Sequence, residues 1–332
     1  MEQQIKERYR ATILQEAMQR YGIAHGQIQL ISEVENFVYG FERGPHAYIL
    51  RISHSLRRCE ALIQGEVDWI NYLAARGVSV ARTIQSETGK LVETIDDGEG
   101  GQFLATAFVK AQGHPPWDLW TPTLYETYGH LLGSMHALAQ QYQPANLAWK
   151  RPNWDDDVMG FVERYLPVTE TVAKQTYQAL HTHLHGLPKD ARSYGLIHQD
   201  AHGNNFFVDE AGVITLFDFD ECAYSWFIND IAIVLFYHVM EAENAPAFTQ
   251  EFMIHFLRGY RQAHQLDRAW LQEIPHFLKV REIELYAVMH RDFDVNQIDD
   301  EWSARFMRDR KAKIEQNVPY IDFDLASLAR YL

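Results

Sequence analysis

The chain has 332 residues, with 45 Asp and Glu against 30 Lys and Arg, for a formal charge of -15. So acidic a balance is unsuited to a phosphate backbone and argues against a nucleic-acid partner, and no apolar run approaches the roughly 18 residues of a membrane span or signal core. Its two cysteines, Cys59 and Cys222, lie far apart outside any CxxC or CxxH spacing, which excludes a zinc ribbon and a disulfide scaffold and points to a reduced, cytoplasmic setting.

At this length two lobes are expected. Ile5, Tyr9, Ile13, Ala17 and Tyr21 recur at helical spacing and Gly22 follows as a stop, predicting one N-terminal amphipathic helix. "QIQLIS", "NFVYGFE" and "AYILRIS" read as strands, the last two joined by the turn "RGPH" at 43 to 46. A helix is predicted from Arg58 to Arg76, stopping at Gly77, and "VARTIQSETGKLVET" and "QFLATAFV" read as further strands, with "ETG" and "DDGEGG" as turns. Residues 1–108 are thus a small, mostly antiparallel sheet with one inserted helix. From Leu124, Tyr128, Leu131, Leu132, Met135 and Leu138 onward the periodicity is helical, so 109–332 forms the second lobe of an α+β protein. Within it, "FFV", the turn "DEAG" and "VITLFDF" predict a hairpin among helices.

That hairpin carries chemistry. Alternation over a strand from Val213 to Asp220 puts Ile214, Leu216, Asp218 and Asp220 on one face, with two carboxylates side by side at its end. Unpaired acids near a core call for a cation, and magnesium suits oxygen ligands. Upstream, "HQDAHGNN" sets Asp200 and Asn205 five residues apart in a stretch that Gly203, Asn204 and Asn205 keep from being helical. His198, Asp200, Asn205 and Asp218 follow the H-x-D-x-x-x-x-N order of the protein-kinase catalytic loop with its metal-binding aspartate. His198 and His202 read as loop-holding histidines rather than proton carriers. A rival reading makes His198, Asp200 and His202 the transition-metal ligands of a hydrolase, but leaves the hairpin aspartates unassigned. Asp200 alone also suits a cap or turn.

The stretch resembles the aminoglycoside phosphotransferase and choline kinase family, whose loop reads like HGDLHPGN and whose metal motif is DxD or DxE; "HQDAHGNN" and "DFD" match them. The resemblance runs from about residue 25 to 290 and implies a bilobal protein-kinase-like fold. The N-terminal lobe, 1–108, would bind nucleotide, and the lobe 109–332 would hold the catalytic and substrate-binding parts. The activity implied is ATP- and Mg2+-dependent phosphorylation of a hydroxyl on a small molecule such as an aminoglycoside, choline, homoserine or a related polar metabolite. Asp200 would take or orient the acceptor proton, Asn205 and Asp218 would hold magnesium, and Asp220 would bind a second ion or order the first.

Arg51 occupies the strand position where the family commonly has a phosphate-contacting lysine, and Glu66, on the helical face of Leu62, Ile70 and Leu73, is its expected partner. Arginine keeps the charge but not lysine's point-like geometry. "SEVENFVYGF" stands where kinases carry a glycine-rich loop yet has only Gly40, so Ser32, Glu35 and Asn36 are either phosphate-side contacts or turn residues. "FLATAFVKAQG" matches the family's hinge. In "WFINDIAIVL", Asp230 is a helix-start residue or a brace for the loop. Asn204 stands at the family's glycine, so the loop must turn differently or hold Asn204 left-handed. Two alternatives compete: a protein serine/threonine kinase, against which no activation segment ending in APE follows "DFDE", and a non-catalytic nucleotide-binding module. "HTHLH" at 181 to 185, "NWDDDV" at 153 to 158 and "HRDFD" at 290 to 294 read as solvated surface before they read as a metal site or an amine pocket.

Overall fold

The computed structural model describes residues 1–240 and 242–332 in full, and residue 241 only as the end of its helix. The chain forms two compact units. The first holds Met1–Pro115, Tyr142–Arg151 and Phe206–Asp220; the second holds Pro116–Gln141, Pro152–Asn205 and Glu221–Leu332.

The first unit opens with α1 (Gln3–Arg8) and α2 (Ala11–Arg20), so the single predicted helix is broken in two. The break is at Tyr9, whose backbone is extended. Its ring stacks on Phe37 and its hydroxyl meets that of Tyr39 at 2.9 Å, while Arg8 reaches Asp97 at 2.6 Å. Helical spacing alone could not show that Tyr9 is drawn onto the sheet. Then come β1 (Ile28–Ser32), β2 (Phe37–Arg43), β3 (His46–His54), α3 (Glu60–Ala74), β4 (Thr83–Ile84), β5 (Val92–Asp96) and β6 (Gln102–Val109). The sheet runs β1-β2-β3-β6-β4, antiparallel throughout, with β5 also on β6. Of the strands expected in Val80–Thr94 only the short β4 and the start of β5 form, on either side of the turn expected at "ETG", which the Ser86–Lys90 backbone bonds close. In β3, Arg51 pairs with Val38 on one side and Thr106 on the other, which fixes it in mid-sheet.

The second unit follows with α4 (Pro122–Ala139), α5 (Phe161–Tyr165), α6 (Thr171–His185) and β7 (Tyr194–Ile197). The hairpin β8 (Phe206–Val208) and β9 (Ile214–Leu216) belongs to the first unit. Beyond it lie β10 (Ala223–Trp226), which pairs antiparallel with β7, then α7 (Phe227–Glu241), α8 (Ala245–Ala263), α9 (Ile274–Asp292), α10 (Glu301–Met307) and α11 (Arg310–Glu315). Helices α4 and α8 cross at backbone contact: a Cβ on Gly129 would stand 1.9 Å from the Phe256 carbonyl oxygen, and one on Gly259 equally close to that of Glu126. Among the described residues no helix is long and apolar enough to cross a membrane.

His264, just past α8, is buried and fully bonded as a neutral ring: Nε2 donates to the Arg192 carbonyl at 2.9 Å and Nδ1 accepts from Gln140 at 3.0 Å. Burial, reinforced by His136, lowers its pKa from 6.5 to about 4. The unfolded chain therefore binds the extra proton first, so this contribution to stability is present above pH 6.5 and is lost as pH falls toward 4. In urea melts at pH 7 and pH 5, His264→Gln is expected to lose less stability on acidification than the unmodified protein. An equal loss in both would refute the assignment.

Candidate functional site

In the second unit, β7 delivers the chain into the loop His198–Asn205. The backbone turns left-handed at Gln199, with φ 68°, and not at Asn204, where the motif had suggested it. Below the loop, Asp230 on the first turn of α7 is fully buried, and its carboxylate accepts from the backbone N–H of His198 at 2.9 Å and of Gln199 at 2.8 Å. His136 on α4 donates to it from Nε2 at 3.1 Å, and its Nδ1 accepts from the Tyr260 hydroxyl at 2.8 Å. These contacts make Asp230 a brace; α7 has no side-chain cap. The Tyr128 hydroxyl donates to the Ala201 carbonyl, a further anchor.

Asp200 sits at the centre of this loop. Arg281 of α9 donates to its Oδ1, the Asn205 amide donates to its Oδ2 at 2.9 Å and to its carbonyl at 2.8 Å, and His202 Nε2 lies 3.3 Å from Oδ2. Burial would raise the pKa of Asp200, but His202, Arg281 and His198 together outweigh it and hold the carboxyl below the ordinary carboxylate range. With its Nδ2 on Asp200, Asn205 has its amide oxygen left for another partner. His198 is buried, with Nδ1 accepting the Asp200 N–H at 3.3 Å, and His202 Nδ1 accepts that of Asn204 at 3.1 Å, so both histidines hold loop backbone.

In the first unit, Arg51 and Glu66 form a two-armed pair at 2.8 and 2.5 Å, with both side chains buried. Asp218 Oδ1 lies 3.8 Å from the same guanidinium. The expectation that Asp218 and Asp220 emerge side by side from one strand face fails. Strand β9 ends at Leu216 and Asp218 is left-handed, with φ 62°, which sends the two carboxylates into different surroundings. Asp218 is half-exposed. Asp220 is buried, its Oδ2 held by Arg57 with Arg58 at 3.8 Å, while Oδ1 has no hydrogen-bond partner among the described residues. Arg151 also donates to its carbonyl at 2.7 Å. Burial opposes its charge, but the arginines, Arg57 foremost, hold its carboxyl below the usual range. Ahead of β2, Ser32 Oγ accepts the Val34 N–H at 3.3 Å, Glu35 pairs with Arg57 at 3.2 Å, and the buried Asn36 has an Oδ1 without a hydrogen-bond partner among the described residues.

The sequence reading missed Arg57, Arg58, Arg281, Tyr128 and His136. Arg281 had a signal: it lies among Leu278, Val280, Ile283 and Leu285, and a cation partly buried among apolar residues calls for an anion. Several residues of the other clusters find local partners. On α6, His183 and, from α9, His276 share Glu273 at 2.7 and 3.0 Å; the Asn153 backbone N–H donates to the Asp156 carboxylate at 2.8 Å, and Arg291 pairs with Asp292.

Residues 27–274 match the model of a family described as "Phosphotransferase enzyme family". The amicoumacin kinase of Bacillus subtilis (strain 168) is 40% identical over 324 residues, 95% of each chain. A solved amicoumacin kinase, hAmiN in complex with AMP-PNP, Ca2+ and Ami, superposes with a TM-score of 0.93 at 38% identity, covering 99% of this chain and 100% of that one. A microcompartment-associated aminopropanol kinase shares the fold, with a TM-score of 0.74 at 23% identity over 93% of this chain and 98% of the other.

Proposed function

This chain belongs to the phosphotransferase enzyme family and is a small-molecule kinase, and we propose that it transfers the γ-phosphoryl group of ATP to a hydroxyl of amicoumacin or a compound closely like it. The observation that carries this reading is the ionised Asp200, held by Arg281, His202 and Asn205 in a loop whose backbone hangs on Asp230. Kept below the usual carboxylate range, Asp200 is a weak base but a firm hydrogen-bond acceptor. That suits phosphoryl transfer, where the acceptor hydroxyl is aimed first and gives up its proton late, as its oxygen bonds to phosphorus and the bond to the leaving ADP oxygen breaks.

The residues fit a nucleotide and a hard divalent ion. Asp218 offers a half-exposed carboxylate and Asn205 an amide oxygen, and following the motif order we assign both to Mg2+. When bound, the ion neutralises charge on the phosphate oxygens. Asp220 we reassign from ligand to organiser: one oxygen is taken by arginine, and four guanidinium groups around it oppose a cation. Arg51, oriented by Glu66, supplies fixed positive charge for the phosphates, with Ser32 and Asn36 on the phosphate side. We keep residues 1–108 as the nucleotide lobe and 109–332 as the catalytic and acceptor lobe, except that the hairpin with Asp218, which belongs to the first compact unit, goes with the nucleotide lobe. A protein-kinase reading is disfavoured because only residues 221–226 separate Asp220 from α7, which leaves no room for an activation segment.

The direct test is product mass after incubation with ATP, Mg2+ and amicoumacin, then with choline, homoserine and aminoglycosides in place of it. A phosphorylated amicoumacin that disappears with chelator is expected; no phosphorylated product from any acceptor would sink the reading. Asp230→Asn is expected to lower kcat by about 10–100-fold through loop misplacement, with the KM for ATP unchanged. A change in the KM for ATP alone would contradict its role as a brace.

A further inference from the structure

The histidine run "HTHLH" falls on α6, and the helix divides what the sequence put together. His181 and His185, four residues apart, lie on one face against Trp154, with ring centroids at 4.6 and 5.3 Å. His183, two residues from each, is turned the other way, toward the start of α9. There it meets Glu273 and His276, all three within the second unit.

These residues converge as a ligand set would. His183 Nε2 lies 2.7 Å and His276 Nδ1 3.0 Å from the same oxygen, Glu273 Oε2, and the three atoms are all within 4.8 Å of one another. A divalent ion about 2.0–2.2 Å from each ligand would set neighbouring atoms of a tetrahedron about 3.3–3.5 Å apart. Each short contact would then lengthen by less than about 1 Å, which side-chain rotation supplies without moving a helix. Glu273 and His276 stand three residues apart where α9 begins, the spacing that puts two ligands on one helical face. The Glu273 carboxylate does not cap its own helix; it is turned to the histidines, whose rings lie 4.1 Å apart at 37°. The side chains of His183 and His276 are 41% and 40% exposed, so an ion can enter from solvent and water can complete its shell.

We propose that His183, Glu273 and His276 bind one divalent transition ion of the Zn2+ class, with water in the fourth position, as a clip between α6 and α9. Donor chemistry selects the ion: two imidazole nitrogens and one carboxylate suit Zn2+, Co2+ or Ni2+, whereas Mg2+ and Ca2+ prefer oxygen throughout. His183 and Glu273 are 90 residues apart in the chain, so the ion closes a long loop and favours the folded state. Without the ion both rings still hydrogen-bond to Glu273, so the fold does not depend on it. None of the three residues belongs to the Asp200 loop or its supports, and the inference stands apart from the phosphotransfer reading.

The test is calorimetric titration of the metal-free protein with Zn2+ in a large excess of Mg2+, which occupies any all-oxygen site. The unmodified protein is expected to bind one more Zn2+ per chain than the double variant His183→Gln with His276→Gln. Either replacement alone should weaken that ion by about 10–100-fold or more, since even a partner outside the ligand set is commonly worth that much. Its melting temperature should rise with Zn2+ concentration, and the rise should be lost in the double variant. Glutamine can keep the hydrogen bond to Glu273, so the metal-free variants should melt with the unmodified protein. Glu273→Gln, which leaves an acceptor for both rings but removes the anionic ligand, gives the same reading should a histidine variant fail to fold. His185→Gln, on the opposite face of α6, should bind as the unmodified protein does. No Zn2+ bound by the unmodified protein, equal binding by the double variant, displacement by Mg2+, or a loss in His185→Gln as large as in His183→Gln would each overturn the inference.

Discussion

Asp200→Asn is expected to lower kcat by about 10²–10⁴-fold, the usual effect of removing a positioned proton acceptor. The substitution is nearly isosteric, so the loop should survive. His198 and Gln199 still hang on Asp230, and Arg281 keeps the Tyr237 hydroxyl and Glu284 within 3.9 Å. Affinity for ATP should therefore persist while transfer disappears, a split readable by nucleotide titration alongside turnover. If turnover stayed within a few-fold, Asp200 would be a structural anion for Arg281 and no more. Arg281→Lys sharpens the point. Both bonds come from one guanidinium nitrogen, so lysine retains the charge and enough donors but not the reach and fixed plane that set their directions, and turnover should fall without loss of nucleotide binding.

What the sequence disclosed and what it concealed follow from the range of the interactions involved. The strands around Arg51, helix α3 with Glu66, and the order of His198, Asp200, Asn205 and Asp218 are local patterns, legible as spacing. The fold class followed, and the family match agrees with it. What stayed hidden was settled by partners remote in the chain. Tyr9 breaks its helix because Phe37 and Tyr39 offer it a better position. Asp220 leaves the expected strand face and is enclosed by Arg57 and Arg58, more than 160 residues earlier in the chain. Alternation also assumed that β9 continued to Asp220, whereas a left-handed Asp218 stops it, and nothing in "TLFDFD" marks which aspartate turns.

The Arg51–Glu66 pair allows structure and chemistry to be separated. Both side chains are buried, and each guanidinium arm meets one carboxylate oxygen, so removing either partner strands a charge away from water. Glu66→Gln or Arg51→Met should each destabilise the protein by about 3–5 kcal/mol in urea melts. Joint replacement by Arg51→Met and Glu66→Met should recover most of that loss, because two apolar side chains of similar volume need no compensation. Activity should not recover with it. If Arg51 supplies the positive charge that meets the phosphates, the refolded double variant will remain impaired by about 10²-fold or more in kcat/KM for ATP, as expected when a fixed stabilising charge is removed. Arg51→Lys tests the geometry in between: lysine stands where the family usually has it, but Glu66 here is matched to a fork, so a partial loss of stability with much of the activity retained is the expected result. Full activity in the stable double variant would show that the pair serves only to hold α3 on the sheet.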